Sequence, residues 1–258
     1  MANSGRKGIV RFEDTLAYTS MGTGLIGLDG GTNSTNTSYG LAWTQSLDTG
    51  NTSYTISQSA TKGQHIAGSL DATDNDMIEF CGSKIMFYGQ QGFNAVEALV
   101  QFDAVATMAF NFGFTDEVTC ASATLPVEMG TVTQFATGCT TFCGLVYDTD
   151  ATNANVHCAW VDDGNVATEA LGNLRMKGVA PVADKWIYMR VEMQDQGSGE
   201  PVRATFQYNQ DGVNAVKEFE TTVDRDQGLA YYFGVENRAG LARGIFIKLP
   251  AWEQSISD

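Results

Sequence analysis

At 258 residues, with 43% hydrophobic and 17% charged side chains, the chain can build one large core and is too apolar to be disordered throughout. Thirty acidic residues against 15 basic ones leave a formal net charge of −15, which repels phosphate backbones and argues against nucleic acid as a partner. No window approaches the ~18 uninterrupted apolar residues of a spanning helix, so no membrane segment is expected.

The start, MANSGRKGIVRFEDTL, has no apolar stretch followed by a cleavage site, so the expectation is a soluble protein made in the cytoplasm. Arg6, Lys7 and Arg11 make up its basic cluster, read as a solvated tail. Residues 9–16, IVRFEDTL, are predicted as a first strand. From Asp29 to Gln64 the sequence is rich in Gly, Ser, Thr and Asn, whose side chains compete for backbone hydrogen bonds and favour loops and short exposed strands. Residues 1–70 are therefore set apart as a loop-rich arm that packs on the main domain or on partners, and residues 71–258 as the main domain.

Beyond residue 71 the alternation becomes regular. Met108, Phe110, Phe112 and Phe114 share one face of a predicted strand and anchor a core. Residues 143–168 read as two strands around a polar loop, with Val156, Cys158 and Trp160 on one face, closed by a turn at Asp163-Gly164. In ADKWIYMRVEMQ, Ile187, Met189, Val191 and Met193 alternate with Tyr188, Arg190 and Glu192. The following strand alternates Ala204, Phe206 and Tyr208 with Arg203, Thr205 and Gln207, and a second Asp-Gly turn follows at Asp211-Gly212. Leu229, Tyr231, Phe233 and Val235 line up in the next strand, and Ile245, Ile247 and Leu249 in the last. Helix signals are weak: EALGNLRMKG is bracketed by glycines and sustains no apolar stripe. Many short strands at about 8–12-residue spacing predict an all-β jelly-roll sandwich.

The five cysteines, Cys81, Cys120, Cys139, Cys143 and Cys158, are odd in number and lack the two close pairs of a zinc site, so they read as reduced, buried thiols. Catalytic constellations are weak. Glu218, Glu220 and Asp224, or Glu192 with Asp195, do not reproduce the one-strand carboxylate spacing of sandwich glycosidases. Only His65 and His157 could serve a histidine-based mechanism, and no phosphate-binding glycine loop occurs. The chain is read as non-enzymatic. Two acidic turns offer oxygen donors to calcium: Asp148, Asp150, Asn153 and Asn155 in DTDATNAN, and Asp71, Asp74 and Asp76 in LDATDND. Solvated turns explain both equally, so no cofactor is assigned and calcium stands as a candidate. Glycan binding needs exposed aromatics, for which Trp43, Trp160, Trp186 and Trp252 are available, with Trp160 and Trp186 the named candidates.

The order of features from residue 74 onward resembles the concanavalin-like, laminin-G-like jelly roll found in virion proteins of tailed bacteriophages. The resemblance rests on Trp186, Arg190, Val191 and Glu192 in one strand and Phe206, Asn209 and Gly212 in the next. It spans residues 74–254 and is carried by patterns of fold rather than of chemistry. It implies a capsid decoration (cement) protein that contacts the major capsid protein and copies of itself, as a homotrimer, on a virion assembled in the host cytoplasm. The alternative is a lectin-like receptor-binding module of a tail or head fibre.

Overall fold

The computed structural model describes residues 2–6, 8–13, 26–28, 43–47, 51–82, 87–117, 124–131, 133–166, 171–176 and 178–255. Lys7, Cys120 and the side chains of Arg6 and Trp43 lie outside the described residues. In chain order the strands are β1 (Ala2–Arg6), β2 (Ile9–Glu13), β3 (Ile26–Leu28), β4 (Trp43–Leu47), β5 (Thr52–Ser59), β6 (Gly63–Leu70), β7 (Met77–Gly82), β8 (Phe93–Phe102), β9 (Met108–Thr115) and β10 (Val127–Thr131). They continue with β11 (Gln134–Thr137), β12 (Phe142–Asp148), β13 (His157–Asp162), β14 (Asn165–Val166), β15 (Ile187–Gln194), β16 (Val202–Gln210), β17 (Val213–Thr221), β18 (Ala230–Asn237) and β19 (Arg243–Ser255). The helix-forming patch in the sequence yields one four-residue helix, α1 (Leu171–Leu174).

Two large sheets face each other. One has the order β1-β2-β19-β8-β15-β16-β17, with β6 joined to the first half of β19 and β5 to β6. The other runs β14-β13-β12-β9-β18-β7-β4-β3. Strands from residues 1–70 therefore enter both sheets. The period-two pattern sets which side chains meet between them. Ile187, Met189, Val191 and Met193 oppose Phe110, Phe112, Phe114 and Phe233 in one continuous core, and their polar neighbours face outward. Both Asp-Gly turns form as the sequence predicts, with positive φ at Asp163, Gly164, Asp211 and Gly212, the conformation two-residue hairpins need.

The final strand departs from its predicted alternation. A bulge between Lys248 and Ala251 puts Leu249 at φ 47° and 40% exposed, and the inward row resumes at Trp252, which lies across from Val96 and packs against the core. One extra residue at a bulge reverses the facing of the residues beyond it, so the inward row passes from Ile247 to Trp252 rather than to Leu249.

The N-terminal strands are fastened by charge. Arg11 on β2 and Arg190 on β15 both pair with Glu97 and Glu253, at 2.6 Å for Arg11–Glu253 and Arg190–Glu97 and 2.8 Å for Arg190–Glu253. Arg11 is thus part of a network across four strands rather than of a solvated tail.

The strands β7, β9, β12 and β18 of the eight-stranded sheet are buried on both faces. Residues 124–139, including the hairpin of β10 and β11, lie over its outer side, where Val127 and Cys139 pack with Phe142, Val146, Ala159 and Val161. Asn111, at the centre of that face, clips the cover down: its Nδ2 donates to the Val127 carbonyl at 2.9 Å and its Oδ1 accepts from the Val127 amide at 2.8 Å. Within the sheet, Gly113 and Gly144 oppose one another. A Cβ on Gly113 would lie 2.2 Å from the Cys143 carbonyl oxygen and one on Gly144 2.4 Å from that of Phe112, so only glycine permits this backbone approach.

Candidate functional site

A cleft of about 280 Å³ opens at the rim of this cover, where the β10–β11 turn, the loop after β12 and α1 converge. Thr133, Thr152, Asn153, His157, Gly172 and Arg175 line it. The backbone fixes its walls: the Val156 amide donates to the Val179 carbonyl and the Met176 amide to the Val156 carbonyl, both at 2.8 Å. That pairing places Arg175 opposite His157 in an isolated β-bridge. Phe135 of β11 meets the His157 ring edge-on, with centroids 5.7 Å apart.

His157 forms the floor and is 3% exposed. Burial, aided by the nearby charges of Arg175 and Lys217 and opposed by a backbone hydrogen bond at Asn155, lowers its pKa to about 4. At neutral pH the imidazole is therefore uncharged, with one nitrogen as donor and the other as acceptor. The Nε–H of Arg175 is buried and has no hydrogen-bond partner among the described residues. Two threonine hydroxyls and an asparagine amide complete the rim. The set suits a small ligand rich in hydroxyl groups. Among the described residues no Ser, Cys, Asp or Glu lines the cleft.

The candidate calcium ligands separate. Asp148 is buried, and its Oδ2 pairs with Arg238 at 2.8 Å and accepts from the Met129 amide, while its Oδ1 accepts from the Asp150 amide. Asp150 and Asn153 are exposed, Asn155 is half-buried, and only Asn153 reaches the cleft. In the other acidic turn Asp71 Oδ1 accepts from the Thr73 amide. No group of three or more His, Cys, Asp or Glu side chains arranged for a metal occurs among the described residues.

The aromatic candidates also divide. Trp160 is 4% exposed and packs on Phe219 at 5.2 Å, so it belongs to the core and cannot present a ring to a glycan. The phase of the strand places it inward with Val156 and Cys158, the same face the sequence assigns it. Trp252 stacks on Phe12 at 5.7 Å. Trp186 is half-buried on the outer side of the nine-stranded sheet, with Lys248 Nζ 4.3 Å from its ring centre. Cys81, Cys139, Cys143 and Cys158 are buried free thiols, and burial raises the pKa of Cys139 to about 12.

Three of the five carboxylates weighed for hydrolysis are held in ion pairs: Glu192 with Arg190, Asp195 with Arg225 at 2.6 Å, and Glu218 with Arg203 at 3.7 Å. A cluster that the sequence does not announce lies under the cover, where Asp148, Glu236 and Glu128 share the single guanidinium of Arg238. The 2.6 Å contact with Arg238 favours an ionised Glu236. Burial and the two competing carboxylates outweigh it, and the Glu236 pKa rises to about 9. Asp148 and Glu236 are 1% exposed, so a substrate has no route to them in this fold.

No family model matches the chain, and no curated protein matches its sequence. Solved structures match it by fold. A protein of unknown function, SO2946 from Shewanella oneidensis MR-1, has a TM-score of 0.57 at 12% identity over 100% of this chain and 91% of that one. Peanut lectin has a TM-score of 0.53 at 9% identity, covering 97% and 99%. The exoplasmic/lumenal domain of VIP36, solved with calcium and Man3GlcNAc, has a TM-score of 0.50 at 10% identity, covering 84% and 86%. At such identities the likeness establishes the fold: an all-β, concanavalin-like jelly-roll sandwich of the lectin type.

Proposed function

We propose that the protein is a non-catalytic carbohydrate-binding module whose sugar site is the cleft between His157 and Arg175. The observation that carries this reading is the cleft's chemistry: a neutral buried imidazole, an unmatched guanidinium N–H, and hydroxyl and amide groups at the rim. Hydroxyl-rich ligands supply the acceptors and donors such a wall lacks, and unsatisfied buried donors are where an incoming group gains most. The lectin-type fold supports the same reading. The test is a panel of neutral and acidic oligosaccharides titrated calorimetrically into the full chain. One class should bind with a Kd below ~1 mM. Asn153→Ala and Arg175→Gln should each weaken it while leaving the far-ultraviolet circular dichroism unchanged. Absence of binding across the panel would remove the proposal.

The phage resemblance supplies a second reading, a capsid decoration protein held by the major capsid protein and by copies of itself. The observation favouring it is β17, the terminal strand of its sheet, where Val213 and Val216 are 50% and 54% exposed beside an open strand edge. Hundreds of copies per particle in a cryo-EM reconstruction would support this reading, and a handful at a vertex or tail would return it to the receptor-binding alternative.

A further inference from the structure

We propose a second binding site, on the opposite face of the sandwich, for the carboxylate or sulfate of a short acidic sugar. Its residues are Lys62, Gln101, Trp186, Phe246 and Lys248, and none of them touches the His157 cleft.

The sheet itself assembles the site. Ile245 and Ile247 face the core, so Phe246 and Lys248 of β19 face outward. Gln101 of β8 lies directly across the ladder from Phe246. Trp186 immediately precedes β15, whose first residue pairs with Val100. On the other side, His65 of β6 sits edge-on to Phe246 at 5.5 Å, and the β5–β6 turn brings Lys62 over the same ring, its Nζ 4.2 Å from the centre. Lys248 Nζ lies 4.3 Å above Trp186, and a Cβ on Gly63 would come within 3.7 Å of it, so both ammonium groups gather at that turn.

Two observations point to a ligand, the first to its anionic group and the second to its hydroxyls. The chain holds 30 acidic residues, yet among the described residues neither ammonium pairs with a carboxylate, and each rests on an aromatic ring instead. The ring is the weaker partner for a cation, so an incoming carboxylate or sulfate gains a charge-assisted hydrogen bond without a competing protein carboxylate. Independently, Gln101 is 5% exposed and its Oε1 has no hydrogen-bond partner among the described residues. An unmet buried acceptor beside two unpaired donors is the pattern a ligand with one anionic group and several hydroxyls completes. Burial and the neighbouring Lys62 lower the Lys248 pKa, a repulsion that a bound anion relieves.

The net charge limits the ligand's size. With a screening length of about 10 Å at 0.1 M salt, one anionic group feels mainly the lysine pair, whereas a long polyanion also meets the acidic surface around it. A short acidic oligosaccharide fits; a nucleic acid does not. The rings favour a sugar over an acidic peptide because pyranose carbons supply apolar surface to pack on them.

The test compares trigalacturonate, maltotriose and triglutamate by calorimetry with the full chain at 0.1 M salt. Trigalacturonate should bind, and the double substitution Lys62→Gln and Lys248→Gln should weaken it by about tenfold or more, with the melting temperature unchanged. Trp186→Phe should weaken it less. Equal binding of trigalacturonate and maltotriose, or no binding of trigalacturonate, overturns the proposal. So does equal binding of triglutamate, which would make the patch a general anion site. Sensitivity to Arg175→Gln without sensitivity to the lysines would place the acidic sugar in the cleft and overturn it too.

Discussion

Asp148 and Arg238 meet at 2.8 Å beneath the β10–β11 hairpin, and their ion pair joins β12 to the residue just after β18. The carboxylate that the sequence offers to calcium is thereby spent on structure: Arg238 neutralises it, and the Met129 and Asp150 amides satisfy its remaining lone pairs. Removing Arg238 would strand the carboxylates that share it.

Arg238→Met should therefore destabilise the fold by about 3–5 kcal/mol, read from the denaturant midpoint. Millimolar calcium added to the native protein should leave its thermal midpoint where it was. A calcium-dependent rise would show that the acidic loop binds the ion in spite of Arg238.

His157 should impose an acid limb on stability. Its folded pKa of about 4 lies below the ordinary 6.5, so as pH falls the unfolded chain takes up the proton first. The contribution of neutral His157 is whole above pH 6.5 and is lost between 6.5 and 4. The stability difference between the native protein and His157→Gln, measured by denaturation across that window, should show the decline, because Glu236 titrates alike in both.

Glu236 acts with the opposite sign. Its folded pKa of about 9 is above the ordinary 4.5, so the native state holds a proton that the unfolded chain releases. Its contribution to stability should fall as pH rises between 4.5 and 9, and above 6.5, where His157 no longer titrates, the fall stands alone. Glu236→Gln, which keeps the shape and removes the titration, should abolish that slope; a slope unchanged in the variant would assign it to other groups.

The two tryptophans named for glycan binding should separate cleanly. Trp160→Ala empties a core position and should cost about 3–5 kcal/mol. Trp186→Ala, on a half-buried outer ring, should cost roughly 1 kcal/mol and act on binding to the lysine platform instead. Equal losses of stability would mean that Trp186 is a second core anchor.

Much of the sandwich was legible because a strand's two faces alternate in its residues. Ile187 to Met193 and Met108 to Phe114 declare their buried sides directly. The cover was not legible: TLPVEMGTVTQFATGC has no sustained alternation, since its strands hold on by one asparagine clip and a few small apolar contacts. Without the cover, His157 reads as an ordinary strand residue and Asp148 as an exposed turn donor. The bulge at Leu249 was hidden for a related reason, although Pro250, which has no amide hydrogen to give the ladder, was the available signal. The lysine platform could have been found from Phe246 and Lys248, a ring and a cation both out of phase with Ile245 and Ile247. Its other half arrives from β6 and β15, far away in sequence.

The covered sheet makes the molecule a three-ply laminate, with β9, β12 and β18 as the dry middle ply. Their amides can exchange with solvent only when the cover and the opposite sheet both give way, so they should be the last to take up deuterium. A middle ply shut on both sides cannot serve as a recognition surface. Ligand chemistry is pushed to the seam where the cover ends, at His157, and to the bare outer ply, at Trp186, and these two places can diverge in sequence without disturbing the stack between them.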